Sequence, residues 1–431
     1  MRKILFFLVI VFFSSDVYGF EPIELRTKKG IKFWYVKDTS VPIISLDFGF
    51  VGGAFFDLDG KEGTSTFLAS ILDEGAGDLN SVNFQKMMNS FGMKLRFSST
   101  KDLFSGKFQT VSENKEKSFD LLKLVFLKPR FDKNEIEKIR NQLIASYKIN
   151  NSNISDTASI EFYNNFFKGH KFSRNDDGNL DSLRKVNFDE LNFFFKNFVT
   201  RKNLILSISG DIDQDDAIKL IDDSFGLLPE SSENIKEIPK KDTFESGIKF
   251  VEKKTPQSAV VFGQRGLPRK SEDFFAARIC NYVMGGGGFQ SRLYKNIRER
   301  RGLTYSIYSY FISHRNNDIL LGGFQTKNES VNETIKLVKS EWKKMSINGI
   351  SQEELNEAKT YYKGSFTRNY ASTSTISSLL NAVQLYGLNI DYFEKRNKII
   401  DKLTLEMVNR VAREIFQSEN LFFLVVGNDF D

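Results

Sequence analysis

The two halves of this chain repeat one pattern at a constant distance along the sequence, and this constrains the fold more than any other feature. Phe188 and Leu405 each begin a helical stretch, and Asn203 and Asn420 each begin the apolar strand that follows it. Both pairs are separated by 217 residues. An offset that stays constant over such a span indicates duplication of a domain of about that length.

Each half shows the same order of periodic segments: strands, a helix, further strands, then helices and a closing strand. This order predicts an α+β fold with two homologous domains, each an antiparallel or mixed sheet with helices on one face. The polar, charged segment 229–244 is the predicted linker. The predicted domains are therefore 20–228 and 245–431, and a chain of 431 residues is long enough to bury two cores.

The N-terminus has the pattern of a secretory signal peptide. Arg2 and Lys3 precede an apolar run over 4–13, and a small residue, Gly19, ends the segment. We predict that residues 1–19 are removed by cleavage after Gly19 and that the mature chain is exported. Ten apolar residues are too few to cross a bilayer and no later run approaches that length, so no integral membrane span is expected.

Charge and cysteine content exclude several classes of function. The net charge is +6 for the whole chain, with Lys and Arg interspersed among Asp and Glu, so no basic stripe indicates a nucleic-acid partner. Cys280 is the only cysteine, which excludes an internal disulfide, and its apolar surroundings predict a buried small side chain. The only histidines, His170 and His314, are each interpreted as lone polar residues.

The segment 284–310 combines a glycine run, a basic helix and a Tyr-rich strand. An apolar helical stretch leads into the run, an amphipathic helix is predicted over 290–301, and alternation predicts a strand over 303–310. On spacing alone the run favours a hinge. A phosphate cradle fits poorly because the glycines follow a helix and no Lys-Ser/Thr comes after them. The four glycines are Gly285, Gly286, Gly287 and Gly288.

The glycine run followed by Arg298-ERRGLT-Tyr305, seen within two repeated halves, resembles the C-terminal domain of insulinase/pitrilysin-type zinc metallopeptidases. The resemblance extends over essentially the whole mature chain. It implies that the two α+β domains form half of a clam shell. In that family an Arg and a Tyr seven residues apart hold the substrate backbone near the metal, and Arg298 and Tyr305 have this spacing. The resemblance therefore implies that Arg298, Tyr305 and the four glycines bind substrate.

The zinc motif of that family, the inverted His-x-x-Glu-His helix, is absent at the matching place. Alignment of the segment that starts at Gly63 puts Thr66, Ala69 and Ser70 where His, Glu and His should stand. Ser146, 80 residues after Thr66, occupies the place of the distal Glu ligand. Hydroxyl groups are poor zinc ligands and alanine has none, so we expect no metal and no intrinsic catalytic residue in this chain.

An arginine and tyrosine pair beside a missing zinc motif implies, through the resemblance, a division of labour. The chain resembles the non-catalytic subunits of bacterial heterodimeric members and the alpha-like subunits of mitochondrial processing peptidase. The expected partner is a paralogous zinc-bearing subunit, the expected ligands are peptides, and the expected location is the bacterial periplasm. A non-proteolytic structural or peptide-binding protein of the same fold is the alternative. A hydrolase of another class ranks last, because neither histidine lies near a Gly-x-Ser-x-Gly motif.

Overall fold

The computed structural model describes residues 20–232 and 237–428. The predicted signal peptide, 1–19, lies outside the described residues, as do positions 233–236 of the predicted linker. The described part of the chain forms two main sheets, one from the first half of the sequence and one from the second. The predicted linker falls between the last strand of the first sheet and the first strand of the second.

The first sheet is mixed and lies wholly within the first half. The strands of this half are β1 (Ile23–Arg26), β2 (Lys32–Lys37), β3 (Ile43–Val51), β4 (Gly75–Ala76), β5 (Leu79–Asn80), β6 (Lys94–Ser99), β7 (Leu103–Val111) and β8 (Leu204–Gly210). Six of them form the sheet in the order β1-β2-β8-β3-β7-β6, and β4 pairs with β5 separately. Only the β2–β8 pair of this sheet is parallel among the described strands.

The second sheet repeats this topology. Its strands are β9 (Gly247–Glu252), β10 (Gln257–Arg265), β11 (Thr304–Ile312), β12 (Ile319–Lys327) and β13 (Phe422–Gly427). They lie in the order β11-β12-β10-β13-β9, with β13 and β9 parallel. This order matches β6-β7-β3-β8-β2 of the first sheet, strand for strand. The predicted α+β fold with two homologous halves is therefore confirmed.

Most of the helices follow the same repeat. The helices of the first half are α1 (Thr64–Ile71), α2 (Ser81–Ser90), α3 (Lys115–Leu127), α4 (Lys133–Ser152), α5 (Ile154–Phe166), α6 (Leu180–Lys185), α7 (Phe188–Phe198) and α8 (Gln214–Phe225). Those of the second half are α9 (Phe274–Asn281), α10 (Val331–Asn348), α11 (Gln352–Phe366), α12 (Thr373–Leu385), α13 (Tyr392–Lys402) and α14 (Leu405–Ile415). Across residues 20–232 and 237–428, none of them combines the length and apolar character needed to cross a bilayer.

The repeated helices α7 and α14 begin where their sequences predict. The Asn187 side chain accepts a hydrogen bond from the Asp189 N–H, and the Glu190 side chain bonds back to the Asn187 N–H, which forms a capping box. Thr404, 217 residues after Asn187, caps α14 by accepting from the Met407 N–H at 3.2 Å. Such caps satisfy backbone donors that a helix cannot satisfy itself.

One face of each sheet packs against helices of its own half. Alternate residues of β3, among them Phe48 and Phe50, point into the first core, and Val260 and Phe262 of β10 point into the second. Burial of a side chain of this size stabilises the fold by about 1.5–3 kcal/mol. This arrangement agrees with the period-2 pattern of the strands.

The opposite face of each sheet carries one helix from the other half, a feature that the sequence did not indicate. Helix α5 packs on β10 and β13 of the second sheet through apolar residues such as Ala158 and Phe162. Helix α12 packs on β3 and β8 of the first sheet, where its Ser377 hydroxyl donates to buried Asp47 at 2.6 Å. The two halves thus exchange equivalent helices, with an apolar contact on one side and a polar contact on the other.

Candidate functional site

Helix α1 is the helix that matches the zinc motif, and a buried carboxyl group, that of Asp57, holds its first turn. Asp57 accepts hydrogen bonds from the Gly63 N–H at 2.8 Å and the Ser65 N–H at 3.0 Å. Gly63 has a φ of 90°, a conformation that favours glycine. Burial raises the pKa of Asp57 to about 8 and outweighs the backbone N–H donors, which lower it. The frame of the motif helix is therefore intact.

The three residues at the motif positions on α1 make hydrogen bonds or core contacts within this chain. The Thr66 hydroxyl donates to the Asp176 carbonyl oxygen at 2.8 Å, and the Ser70 hydroxyl donates to the Thr66 carbonyl oxygen at 2.9 Å. Ala69 is 7% exposed and packs in the first core. Both hydroxyl groups are thus bonded within the chain.

Ser146 lies exposed on α4, the helix that runs beside α1. The Arg140 guanidinium of α4 lies 5.6 Å from the centre of the Phe67 ring of α1, which joins the two helices. In zinc members of such a fold this pair of helices would supply the ligands. One methyl group and three hydroxyls do not fit a zinc ion, which needs imidazole, thiolate or carboxylate donors.

Neighbouring ionisable groups do not replace the missing ligands. Glu74 is bonded to Lys138 at 2.9 Å and to the Ser81 hydroxyl, while burial raises the pKa of Asp73 to about 6. His170 bonds to the Pro239 carbonyl oxygen, and His314 lies 3.3 Å from the Tyr163 hydroxyl. In the part of the chain that the structure describes, no group of three or more His, Cys, Asp or Glu side chains could hold a metal.

The glycine run lies where the end of α9 packs against strand β11. Helix α9 does not break at Met284 but continues as a wide π-helical turn over Tyr282–Gly286. A Cβ atom on Gly285 would lie 2.4 Å from the Ser309 hydroxyl oxygen of β11. The Asn281 amide donates to the Ser309 carbonyl oxygen at 2.9 Å and its oxygen accepts from the Ser309 hydroxyl. The first glycines therefore allow α9 and β11 to pack closely. The spacing of the glycines in the sequence predicted a hinge and gave no sign of this packing.

Only the last glycine of the run needs a left-handed conformation. Gly288 has a φ of 56° and open space where a Cβ atom would lie, and Phe289, which follows it, is 73% exposed. The predicted basic helix is present as a second wide helical turn over Tyr294–Glu299. The tip of this segment therefore presents an aromatic ring to solvent.

Arg298 and Tyr305 lie together at the start of β11. The Arg298 Nε–H donates to the Tyr305 carbonyl oxygen at 2.7 Å, and its Nη1 contacts the Tyr294 hydroxyl. The guanidinium carbon lies 4.6 Å from the centre of the Tyr294 ring and 5.7 Å from that of Tyr305. Within the described residues the Arg298 Nη2 group makes no hydrogen bond, and the Tyr305 side chain is 87% exposed.

Tyr294 is a site residue that sequence reasoning missed. The amphipathic pattern of 290–301 gave Tyr294 no role in the site, yet the structure places its hydroxyl and its ring against Arg298. The signal was present, because residues four apart on a helix face one another. Arg298 is therefore held between two tyrosines.

The motif helix and the arginine–tyrosine pair belong to different halves. Helix α1 packs on β6, α4 and α7 of the first half, whereas the turn that carries Arg298 packs on β11 of the second sheet. The positions that match the zinc motif therefore lie in the first half, and Arg298 and Tyr305 lie in the second.

Comparison with known proteins supports the resemblance. Residues 35–175 match the family described as Insulinase (Peptidase family M16), and residues 185–362 match the Peptidase M16 inactive domain. A Helicobacter pylori protein named non-peptidase homolog YmxG is 25% identical over 434 residues and covers 99% of each chain. A Bacillus subtilis protein named uncharacterized zinc protease YmxG is 24% identical, over 92% of this chain and 96% of its own.

Solved structures share the fold. A Pseudomonas fluorescens peptidase M16 inactive domain superposes with a TM-score of 0.89 at 25% identity, over 95% of this chain and 98% of its own. The Escherichia coli periplasmic protease PqqL has a TM-score of 0.79 at 16% identity, over 95% of this chain and 45% of its own. The two family matches together span most of the sequence. The chain belongs to peptidase family M16, the insulinase family.

Proposed function

We propose that this chain is the non-catalytic, substrate-binding subunit of a periplasmic M16 metallopeptidase whose zinc is held by a partner subunit. The observation that carries the proposal is the contrast between the two halves. Thr66 and Ser70 are bonded within α1 and its neighbouring loop, whereas Arg298 and Tyr305 keep their family spacing and face solvent in part. The name of the Helicobacter pylori relative, a non-peptidase homolog, is in keeping with this.

The chemistry available to this chain is donation of hydrogen bonds to a peptide. The Arg298 Nη2 group and the Tyr305 hydroxyl can both point at a carbonyl oxygen that a zinc ion polarises from the partner subunit. Donors held rigidly around a developing oxyanion lower the barrier to its formation, and two donors, one on the turn Tyr294–Glu299 and one on β11, also orient the peptide. Tyr294 holds the guanidinium in place for this task.

A non-proteolytic peptide-binding or structural role is the second candidate, and one contact favours it. Arg298 already donates to the carbonyl oxygen of Tyr305 at 2.7 Å, so part of its donor capacity stabilises the entry into β11. In that case Arg298 is a brace and Tyr305 a surface residue. The two candidates predict different effects of the same substitutions.

The test is to mix the purified chain with a zinc-bearing M16 protein from the same organism and to measure hydrolysis of fluorogenic peptides. Arg298→Ala and Tyr305→Phe should each lower kcat/KM of the mixture, on the order of a hundredfold for a true oxyanion donor. Arg300→Ala and Tyr308→Phe are matched controls from the same turn and strand, and they should retain the activity. Equal activity for all four variants would leave only the bracing role.

A further inference from the structure

A basic groove lies between helix α10 and the segment that contains the wide helical turn Tyr294–Glu299. It consists of two surface cavities of about 360 and 380 Å³, which share four lining residues and therefore adjoin one another. Among the described residues that line the groove, only Leu337 is apolar. The cations that line it are Arg292, Lys295, Arg300, Arg301 and Lys344.

These cations outnumber the carboxylates that pair with them. Glu354 pairs with Arg292 at 2.6 Å, and buried Glu341 pairs with Lys344 at 2.7 Å. Five cations less two carboxylates leave a net charge of +3 in the basic groove. Like charges that lie this close together attract an anion from solution. Within the described residues three of the cations form no ion pair, namely Lys295, Arg300 and Arg301.

Asn296 holds the two neighbouring arginines of the basic groove. Its side-chain oxygen accepts a hydrogen bond from Arg300 Nη1 at 3.0 Å, and its carbonyl oxygen accepts one from Arg301 Nη1. The other nitrogens of both guanidinium groups make no hydrogen bond in the part of the chain that the structure describes, and both side chains are exposed. A guanidinium group presents its N–H donors as a planar fork that matches the oxygens of a phosphate group. Two forks fixed by one asparagine therefore suit a ligand with more than one phosphate group.

We propose that the basic groove binds a small soluble anion that carries two or more phosphate groups. The volumes of its two cavities lie in the range of small-molecule sites, about 300–1,000 Å³. An acidic polypeptide fits less well, because protein interfaces have an apolar centre and Leu337 alone could supply one here.

Arg298 and Tyr305 line neither cavity, so this inference does not depend on the peptidase role. The peptidase assay proposed above is run without phosphate. The basic groove is then empty, and Arg300→Ala remains a valid control there.

Isothermal titration calorimetry of the purified protein with inorganic triphosphate tests the site. We expect one triphosphate per chain. Replacing both arginines, Arg300→Gln with Arg301→Gln, should raise Kd about tenfold or more, because charge-assisted hydrogen bonds are lost. The control with the same loss of charge is Lys336→Gln with Lys343→Gln, two exposed lysines of α10 that line neither cavity, and it should bind as the parent does. No binding by the parent, or equal weakening in both double variants, would overturn the site.

A third variant distinguishes fixed arginines from general attraction by charge. Asn296→Ala changes no charge but removes the side-chain acceptor of Arg300, so Kd should rise about threefold or more. An unchanged Kd would overturn the role of Asn296, and thermal unfolding checks that each variant is folded. Hexaglutamate peptide and phosphatidylglycerol vesicles present the other sources of negative charge. Tighter binding of either one than of triphosphate would overturn the assignment to a small soluble phosphate compound.

Discussion

At the positions that match the active-site residues of the M16 family, the chemistry of each side chain limits what this chain can do. The sequence alone shows that Thr66, Ala69 and Ser70 stand at the zinc-motif positions, and their side chains are poor zinc ligands or none at all. The hydrogen-bond acceptor of Arg298 could not be predicted from the sequence. Its bond to the Tyr305 carbonyl depends on a bulge between Thr304 and Ile307, which sets how the chain enters β11. Spacing alone predicts that two residues are near each other and not which atoms meet.

Asp57 should make stability depend on pH. Its folded pKa of about 8 lies above its ordinary value of 3.8, so its contribution is complete below about pH 4 and is lost as the pH rises through 8. We expect the free energy of unfolding, from urea titrations, to fall more steeply between pH 5 and about 8 in the parent than in Asp57→Asn.

The control for this titration is Asp59→Asn, which removes an exposed carboxylate whose pKa Arg174 lowers. Asp59 is ionised throughout the same pH window, so this variant should keep the slope of the parent. If Asp57→Asn also keeps that slope, Asp57 is ionised in the folded protein and burial does not dominate its pKa.

Helix α12 shows why some elements could not be predicted. Its sequence is rich in Ser, Thr and Asn, residues that compete with helical hydrogen bonding and favour turns. In the structure these small polar side chains bond to the first sheet, as when the Asn381 amide donates to the Asp47 carbonyl oxygen at 3.0 Å. Helices with a regular apolar face, such as α7 and α10, were predictable because their partners lie in their own half.

Close packing of the glycine run on β11 predicts that a larger residue there lowers the stability of the protein. Gly285→Ala should destabilise the protein by about 1–3 kcal/mol, because the new methyl group would overlap the Ser309 hydroxyl and backbone nitrogen of β11. Gly364→Ala in α11 is the matched control, since open space surrounds that position and alanine favours a helix. Urea unfolding measures both. A neutral Gly285→Ala would mean that close packing of the run on β11 does not require glycine at this position.

The molecule as a whole is a duplication whose halves have diverged in chemistry. The constant offset predicted the repeat and the strand order confirmed it, but the exchange of α5 and α12 could not be foreseen, because it depends on how the halves dock. The α5 contact has an apolar centre, and the α12 contact centres on Asp47, which is 7% exposed. One of these two contacts between the halves, that of α12 with the first sheet, thus depends on hydrogen bonds, which are directional.

Asp47→Ala should weaken the contact of α12 with the first sheet. The substitution removes the carboxylate that accepts from the Ser377 and Ser378 hydroxyls at 2.6 and 2.9 Å, and loss of a hydrogen bond to a charged group costs about 1.5–3 kcal/mol. Hydrogen–deuterium exchange should accelerate in α12 and stay unchanged in α5. Asp213→Ala, which removes an exposed partner of Lys37, should leave both helices as they are.

Zinc content tests the central claim most directly, namely that this chain holds no metal of its own and must rely on a partner for it. The purified protein, dialysed against micromolar zinc, should contain far less than one zinc per chain by inductively coupled plasma mass spectrometry. A variant with Thr66→His, Ala69→Glu, Ser70→His and Ser146→Glu should gain about one zinc per chain, since these changes supply the missing ligands and base on α1 and α4. Stoichiometric, tightly held zinc in the unmodified chain would contradict the account.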